Sequence, residues 1–353
     1  MQDDWRFGYS IRRMNTVSFV VLRALADGAF HSGTQLAQTL GVTRGTVWNS
    51  VRELESTGLA IYRVRGRGYR LAAPVSMLDR AAILSHAGAH AARFQVEICD
   101  VIDSTNTRLM QRAAAGAPSG TVLACELQLG GRGRMGRVWQ SELAGALTFS
   151  VLWRFDHGAS ALAGLSLAVA VALVRALAKL GVTNVELKWP NDVLADGAKL
   201  AGILIEMQGD ALGPSTVVIG IGLNVSLSPA TRSKIGQPAA DLSTLCDTVP
   251  DRSRVLGTVL AELAVVLDVF TERGFAALRS EWTRAHAYQD EHVVIRLPSG
   301  FTEQGIARGV ADDGALLVET GGAIRHVHSA EVQVRRSGSA ELQARDKPAR
   351  RPI

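Results

Sequence analysis

Cysteine is scarce in this chain of 353 residues: Cys99, Cys125 and Cys246 stand far apart, and none belongs to a C-x-x-C pair. That excludes a disulfide framework and a cysteine-based zinc site, and it leads us to expect a reducing, cytoplasmic setting. Long apolar runs are missing too. The most apolar stretch, LAGLSLAVAVALV at 162–174, spans 13 residues before Arg175. A membrane span needs roughly 18–20, so the stretch reads as a buried core helix. The start, MQDDWRFGYSIRR, has acids early and no apolar segment, so no secretory signal is expected. No G-x-x-x-x-G-K-[ST] occurs, and the G-x-G-x-x-G spacing at Gly131, Gly133 and Gly136 is followed by no helical pattern. Neither a P-loop nor a Rossmann dinucleotide site is therefore expected.

What is present is a globular composition, 47% hydrophobic and 20% charged, on a chain long enough for two or three domains. The net charge of +5 is unevenly spread. Residues 1–75 hold ten Lys/Arg against five Asp/Glu, and residues 335–353 hold six against two, which leaves the middle slightly acidic. A nucleic-acid contact at a terminus accounts for this better than a basic enzyme body.

The N-terminal pattern agrees. NTVSFVVLRALADG reads as a helix with Asn15 as N-cap and Gly28 as its stop. Ser32 and Gln35 form a capping-box spacing for a short helix through Leu40, and Gly41 turns the chain. Thr43 caps a further helix in which Val47, Val51 and Leu54 make one buried stripe. Arg44, Thr46, Trp48, Asn49 and Arg52 fall on the opposite face. Helix, glycine turn and helix with a polar, basic outer face is the helix-turn-helix arrangement, whose second helix enters the major groove. IYRVRGRGYRL at 61–71 follows as a hairpin wing around Gly66 and Gly68, with Arg63, Arg65, Arg67 and Arg70 able to reach phosphates.

From about residue 80 strands and helices mix. FQVEICDVI, TVLACELQ, ALTFSVLWRF and STVVIGIGLNVSL read as strands, DSTNTRLMQRAAAG as a helix, and VELKWPNDVLADGAKLAGILIEM as strands joined by tight turns. Helices cover roughly 251–288, and regularly spaced short strands follow to about 336. GGRGRMGRVW at 130–139 sets four glycines and three arginines between apolar regions. Glycine is kept where backbone must approach something closely, and arginine is a rigid fork for phosphate or carboxylate, so this loop is expected to wrap an anion. Trp139 offers a flat face for a purine. Lys188 and Asp192, in KWPND, flank a proline turn and suit phosphate oxygens and Mg²⁺. Lys199 starts KLAGILIE, where Gly202 leaves room against a sheet, and Ser104, Thr105 and Asn106 suit a neutral, hydrogen-bonding ring.

This set of motifs resembles the biotin protein ligases: D-S-T-N at 103–106, Gln128, G-R-G-R-x-G-R-x-W at 131–139, K-W-P-N-D at 188–192, K-L-A-G-I-L at 199–204, and Gly222 to Asn224. With the N-terminal helices and C-terminal strands, the chain resembles the bifunctional class, ligase and biotin-operon repressor in one polypeptide. It departs at Met135, where an arginine is usual.

The resemblance implies an α+β fold. A winged helix-turn-helix would occupy 15–73, a central mixed α/β ligase domain of class II synthetase type 80–285, and a small SH3-like β-barrel 288–336, with a disordered tail over 337–353. It implies biotin and ATP as substrates, with Mg²⁺. Ser104, Thr105, Asn106 and Gln128 would hold the ureido ring, Lys199 the carboxylate, and Gly133 and Gly202 would line the biotin site. Arg132 and Arg134 would belong to the biotin site too, folding over the ligand and neutralising the phosphates of ATP, and with Lys188 and Lys199 they would carry the catalysis. Trp139 would stack near adenine, and Lys188, Asn191, Asp192 and Asn224 would complete the ATP site. The implied partners are a biotin carboxyl carrier domain, operator DNA bound through Arg44, Thr46, Trp48, Asn49, Arg52, Arg65 and Arg67, and a second copy of the chain once biotinyl-AMP is bound. Two alternatives stay open: a ligase without specific operator binding, and a ligand-sensing repressor with an inactive ligase domain. Lipoate ligases, which share the architecture, resemble the chain less because K-W-P-N-D is foreign to them.

Overall fold

A computed structural model describes residues 14–209, 213–296 and 302–328, together with the backbone of 333–336. The expected N-terminal extension and basic tail lie outside the described residues.

Three helices and a hairpin come first. Helix α1 (Thr16–Leu25) starts where the Asn15 side chain accepts from the Val17 amide. Helix α2 (Gly33–Thr39) starts at Ser32, whose side chain makes no capping bond, so the capping-box spacing is not realised there. Helix α3 (Arg44–Ser56) is capped by Thr43, and Val47, Val51 and Leu54 are fully buried as the spacing required. Strands β1 (Ile61–Val64) and β2 (Gly68–Leu71) form the wing. A Cβ at Gly68 would lie 2.0 Å from the His31 carbonyl oxygen, so only glycine lets the wing reach the helices. The core of this unit also contains Leu127 and Leu143, and Arg23 pairs with Asp100, so the winged helix packs directly on the central part of the chain.

The central unit is a seven-stranded sheet in the order β3-β4-β5-β9-β8-β7-β6. Its strands are β3 (Gln95–Ile102), β4 (Thr121–Gln128), β5 (Ala146–Phe155), β6 (Glu186–Lys188), β7 (Asp192–Ala195), β8 (Ala198–Gly209) and β9 (Ser215–Asn224). Within it β3 and β4 run parallel and the other neighbours antiparallel. Helix α4 (Arg80–Ala87) precedes the sheet, helix α5 (Thr105–Ala114) joins β3 to β4, and helix α6 (Leu165–Lys179) follows β5. The apolar run Ala159–Lys179 is long enough by composition to cross a membrane, longer than the 13 residues seen in the sequence. Here its helix is a core element instead, packing on β7, β8 and a long helix further along the chain. Short helices α7 (Pro229–Ile235) and α8 (Leu242–Leu245) lead to α9 (Arg252–Arg273) and α10 (Arg279–Arg284). Helix α9 lies against α6 and α4, closing one large apolar core.

The C-terminal unit is a five-stranded antiparallel sheet, β13-β12-β11-β10-β14, made from β10 (His292–Arg296), β11 (Thr302–Val310), β12 (Leu316–Thr320), β13 (Ala323–Val327) and β14 (Gln333–Arg336). Trp189, fully buried, donates its indole N–H to Gly314 O at 3.0 Å and fastens this sheet to the central unit.

Candidate ligand site and nucleic-acid face

Strand register lays out the site. Lys188 pairs with Asp192, Asp192 with Gly202, Gly202 with Gly222, and Gly222 with Thr148, one straight row across β6, β7, β8, β9 and β5. The next row on that face runs Leu204, Gly220 and Ser150. Three glycines in two neighbouring rows leave a shallow floor. The cavity above it measures about 1370 Å³, more than the roughly 300–1,000 Å³ of a single small-molecule pocket, so it has room for two ligands. The C-terminal sheet contributes Arg296 to its lining.

One end of this cavity is neutral and polar. The first residues of α5 sit over Gly220, where a Cβ would lie 2.1 Å from Asn106 Oδ1. Ser104 caps the helix by accepting from the Thr107 amide. The Thr105 amide and hydroxyl both donate to Gln128 Oε1, at 2.9 and 3.1 Å. Ser150 Oγ sits between Thr105 Oγ1 at 2.7 Å and Asn106 Oδ1 at 2.5 Å. Asn106 Nδ2 donates to Leu204 O and to Glu206.

The other end is cationic. Lys199 Nζ lies 2.6 Å from Asp192 Oδ1, and both side chains are mostly buried. Arg134 is half-buried; burial lowers its pKa, opposed by the nearby charge of Asp192. Between the two ends runs the loop 130–139, a small hairpin closed by a bridge between Arg132 and Val138. A Cβ at Gly131 would lie 2.4 Å from Trp139 O, so the glycine there serves a close approach of the loop's own limbs. Met135 takes a left-handed conformation, φ 55°, at the exposed tip.

The N-terminal face is built as the sequence suggests, with two exceptions. Arg44, Trp48, Asn49 and Arg52 are exposed on α3, and the Arg52 guanidinium lies 4.8 Å from the Trp48 ring centroid. Arg65 and Arg67 project from the wing, Arg67 stacked over Phe30 at 4.2 Å. Thr46, however, is half-buried, and its hydroxyl is bonded to that of Thr43. Arg63 is paired with Glu55, so not every wing arginine is available.

Comparison with known proteins matches this layout along its length. Residues 98–224 match the model of the biotin/lipoate A/B protein ligase family, 19–70 an HTH domain, and 290–335 the biotin protein ligase C terminal domain. The Bifunctional ligase/repressor BirA of Escherichia coli (strain K12) is 34% identical over 322 residues, covering 91% of this chain and 98% of that protein. The chain belongs to the biotin protein ligase family, in its bifunctional ligase/repressor branch. The BirA of Bacillus subtilis (strain 168) is 30% identical over 316 residues, 89% of this chain and 97% of its own. Among solved structures, the biotin protein ligase from Aquifex aeolicus in complex with biotin and ATP superposes with a TM-score of 0.60 at 29% identity, covering 69% of this chain and 99% of that one.

In this biotin ligase/repressor the expected ligand residues all line the same cavity, and several of their side chains are held by protein partners. Three asparagines are braces. Asn106 is spent on Leu204, Glu206 and Ser150, Asn191 Nδ2 donates to Ile203 O at 2.8 Å, and Asn224 Nδ2 donates to Lys199 O and Ala240 O. Trp139 rests on the glycine floor, where a Cβ at Gly222 would lie 2.3 Å from its ring, with Lys199 Nζ 5.7 Å from the ring centroid. Arg132 is bonded to Glu206 and Thr107. Sequence reasoning missed Ser150, Gly220 and Glu206. Ser150 was a hydroxyl inside an apolar strand and Gly220 alternated with Gly222, both visible signals; Glu206 left none, since an acid at the end of a strand is ordinarily solvated.

Among the described residues no group of three His, Cys, Asp or Glu side chains is placed to hold a metal. Asp192 lies beside the cationic pocket, and Glu186 and Asp196 also line the cavity without converging on one point, a sparse set that suits an ion that arrives with phosphate oxygens and keeps several waters.

Proposed function

We infer that this protein activates biotin with ATP, transfers it to a lysine of a biotin carboxyl carrier domain, and represses transcription by binding operator DNA. The observation that carries the reading is one cavity with a neutral hydrogen-bonding end at Thr105 and Gln128 and a cationic end at Lys199, Arg134 and Lys188.

A ureido ring is neutral and rich in donors and acceptors, so it belongs at the first end. The biotin carboxylate then points to the second, where Lys199 would pair with it. A carboxylate and a triphosphate repel each other, and bringing them together needs fixed positive charge. Arg134 and Lys188 would supply it around the α-phosphate, and Mg²⁺ beside Asp192 would neutralise phosphate charge. The carboxylate oxygen attacks the α-phosphorus and pyrophosphate leaves, giving biotinyl-5'-AMP. The acceptor lysine, as a neutral amine, then attacks the carboxyl carbon, and AMP leaves as the amide forms. Loop 130–139 folded over the cavity would keep water from the mixed anhydride.

The exposed row of Arg44, Trp48, Asn49 and Arg52 with the wing arginines supports the DNA-binding half. Dimerisation of the adenylate-bound protein on a palindromic operator follows the two-fold logic of such readers. The unpaired Cys99, Cys125 and Cys246 fit a cytoplasmic setting.

The test is transfer of labelled biotin to a purified carrier domain with ATP and Mg²⁺, with lipoate as competitor, and a gel shift on operator against random duplex. Transfer insensitive to lipoate together with an adenylate-dependent operator shift is expected. Absence of transfer would leave only the ligand-sensing repressor, and absence of a specific shift only the ligase.

A further inference from the structure

The three arginines of the loop are held differently. Arg132 Nη2 lies 2.9 Å from both carboxylate oxygens of Glu206 and 3.0 Å from Thr107 Oγ1. Arg134 is half-buried toward Asp192, and Arg137 is exposed. Glu206 stands near the end of β8 and also accepts from Asn106 Nδ2 at 2.9 Å. From Asn106 the contacts continue to Ser150, Thr105 and Gln128. One chain of polar contacts thus joins the loop's first limb to the floor of the neutral end of the cavity.

We propose that Glu206 is a positioning residue for biotin retention: it anchors loop 130–139 through Arg132 and ties that anchor to the residues that face the ring. The second limb is seated by Trp139 on the glycine floor, so the hairpin is fastened at two points, one on each limb. An arginine neutralised by a carboxylate is poorly placed to grip a triphosphate as well. Phosphate binding then falls to Arg134 and Lys188, and Arg132 serves closure. The shared carboxylate makes the two functions interdependent: removing its charge loosens the loop and frees Asn106 together.

The inference rests on the reading of the cavity as the biotin site, and the experiment separates the two. Wild-type protein is first shown to transfer biotin; failure there sinks the functional reading, not the anchor. Full-length Glu206→Gln, an isosteric change near a strand end, is then compared by calorimetry with biotin and by steady-state kinetics. The expected result is a biotin dissociation constant and KM raised about tenfold, the size of one charge-assisted hydrogen bond, with the KM for ATP unchanged. Trypsin should also cut the ligand-free variant faster at Arg134 and Arg137. A double-mutant cycle reads the coupling directly: Arg132→Ala with Glu206→Ala should bind biotin no worse than Glu206→Ala alone, because the anchor is already lost with the carboxylate. An unchanged biotin dissociation constant in Glu206→Gln, additive effects in the cycle, or a lowered KM for ATP would each overturn the proposal, the last because it would show a released Arg132 working on phosphate.

Discussion

Arg252 and Glu126, 126 residues apart in sequence, form an ion pair in which neither side chain reaches solvent. The pair closes around the connection between the winged helix and the central sheet. Arg252 also donates to Ser76 O and to Ala146 O, and Glu126 accepts from the Leu78 amide at 2.8 Å. Removing one partner leaves a buried, uncompensated charge. Arg252→Met should therefore cost about 3–5 kcal/mol, read as a lower urea midpoint. The double variant Arg252→Met with Glu126→Leu should recover much of that loss, because no unpaired charge remains.

The glycine floor predicts a specific loss of binding. A methyl group at Gly220 would lie 2.1 Å from Asn106 Oδ1, and Asn106 is held on both sides by Ser150 and Glu206. Gly220→Ala should displace the start of α5 and raise the KM for biotin by roughly tenfold or more, a loss of at least about 1.4 kcal/mol. Its KM for ATP should change far less. Parallel rises in both constants would count against the assignment of this end to the ring.

Arg134 and Arg132 should separate kinetically. Arg134 lies by Asp192 at the cationic end, where charge develops as pyrophosphate leaves. Arg134→Ala should lower kcat for adenylate formation by roughly 10²–10³, the scale of losing one preorganised donor. Pyrophosphate exchange measures this step without the carrier domain.

His286 gives the protein an acid-sensitive fold. Its ring lies against Trp282, centroids 4.8 Å apart, and burial pushes its pKa down to about 4 from 6.5. In the unfolded chain the imidazole takes a proton near its ordinary value, so between those two values the unfolded state binds more protons. Stability is complete above pH 6.5, declines as pH falls toward 4, and levels off below it, by about 3 kcal/mol for a shift of this size. Melting temperatures across that window should fall less steeply in His286→Phe than in the wild type.

The order of elements was legible because period and punctuation are local. The stripe of Val47, Val51 and Leu54 follows from helical spacing, and β5 matched its apolar run residue for residue from Ala146 to Phe155. The ligand residues were legible as motifs because a loop dense in glycine and arginine has little use in packing. Bonding partners were a different matter. Ser32 satisfied the capping-box spacing without making the bond, and Thr46 shared the helix face of Trp48 yet turned to Thr43.

The sequence by itself determined the composition of the site: which side chains are cationic, which neutral, and which glycines leave space. Only the tertiary structure decided how they are spent. Asn106 and Glu206 are 100 residues apart, and strand register across β5, β9 and β8 is what brings them into contact under Arg132. Hydrogen bonds and ion pairs act over about 3 Å, so a residue's working partner is fixed by distances that spacing along the chain does not contain.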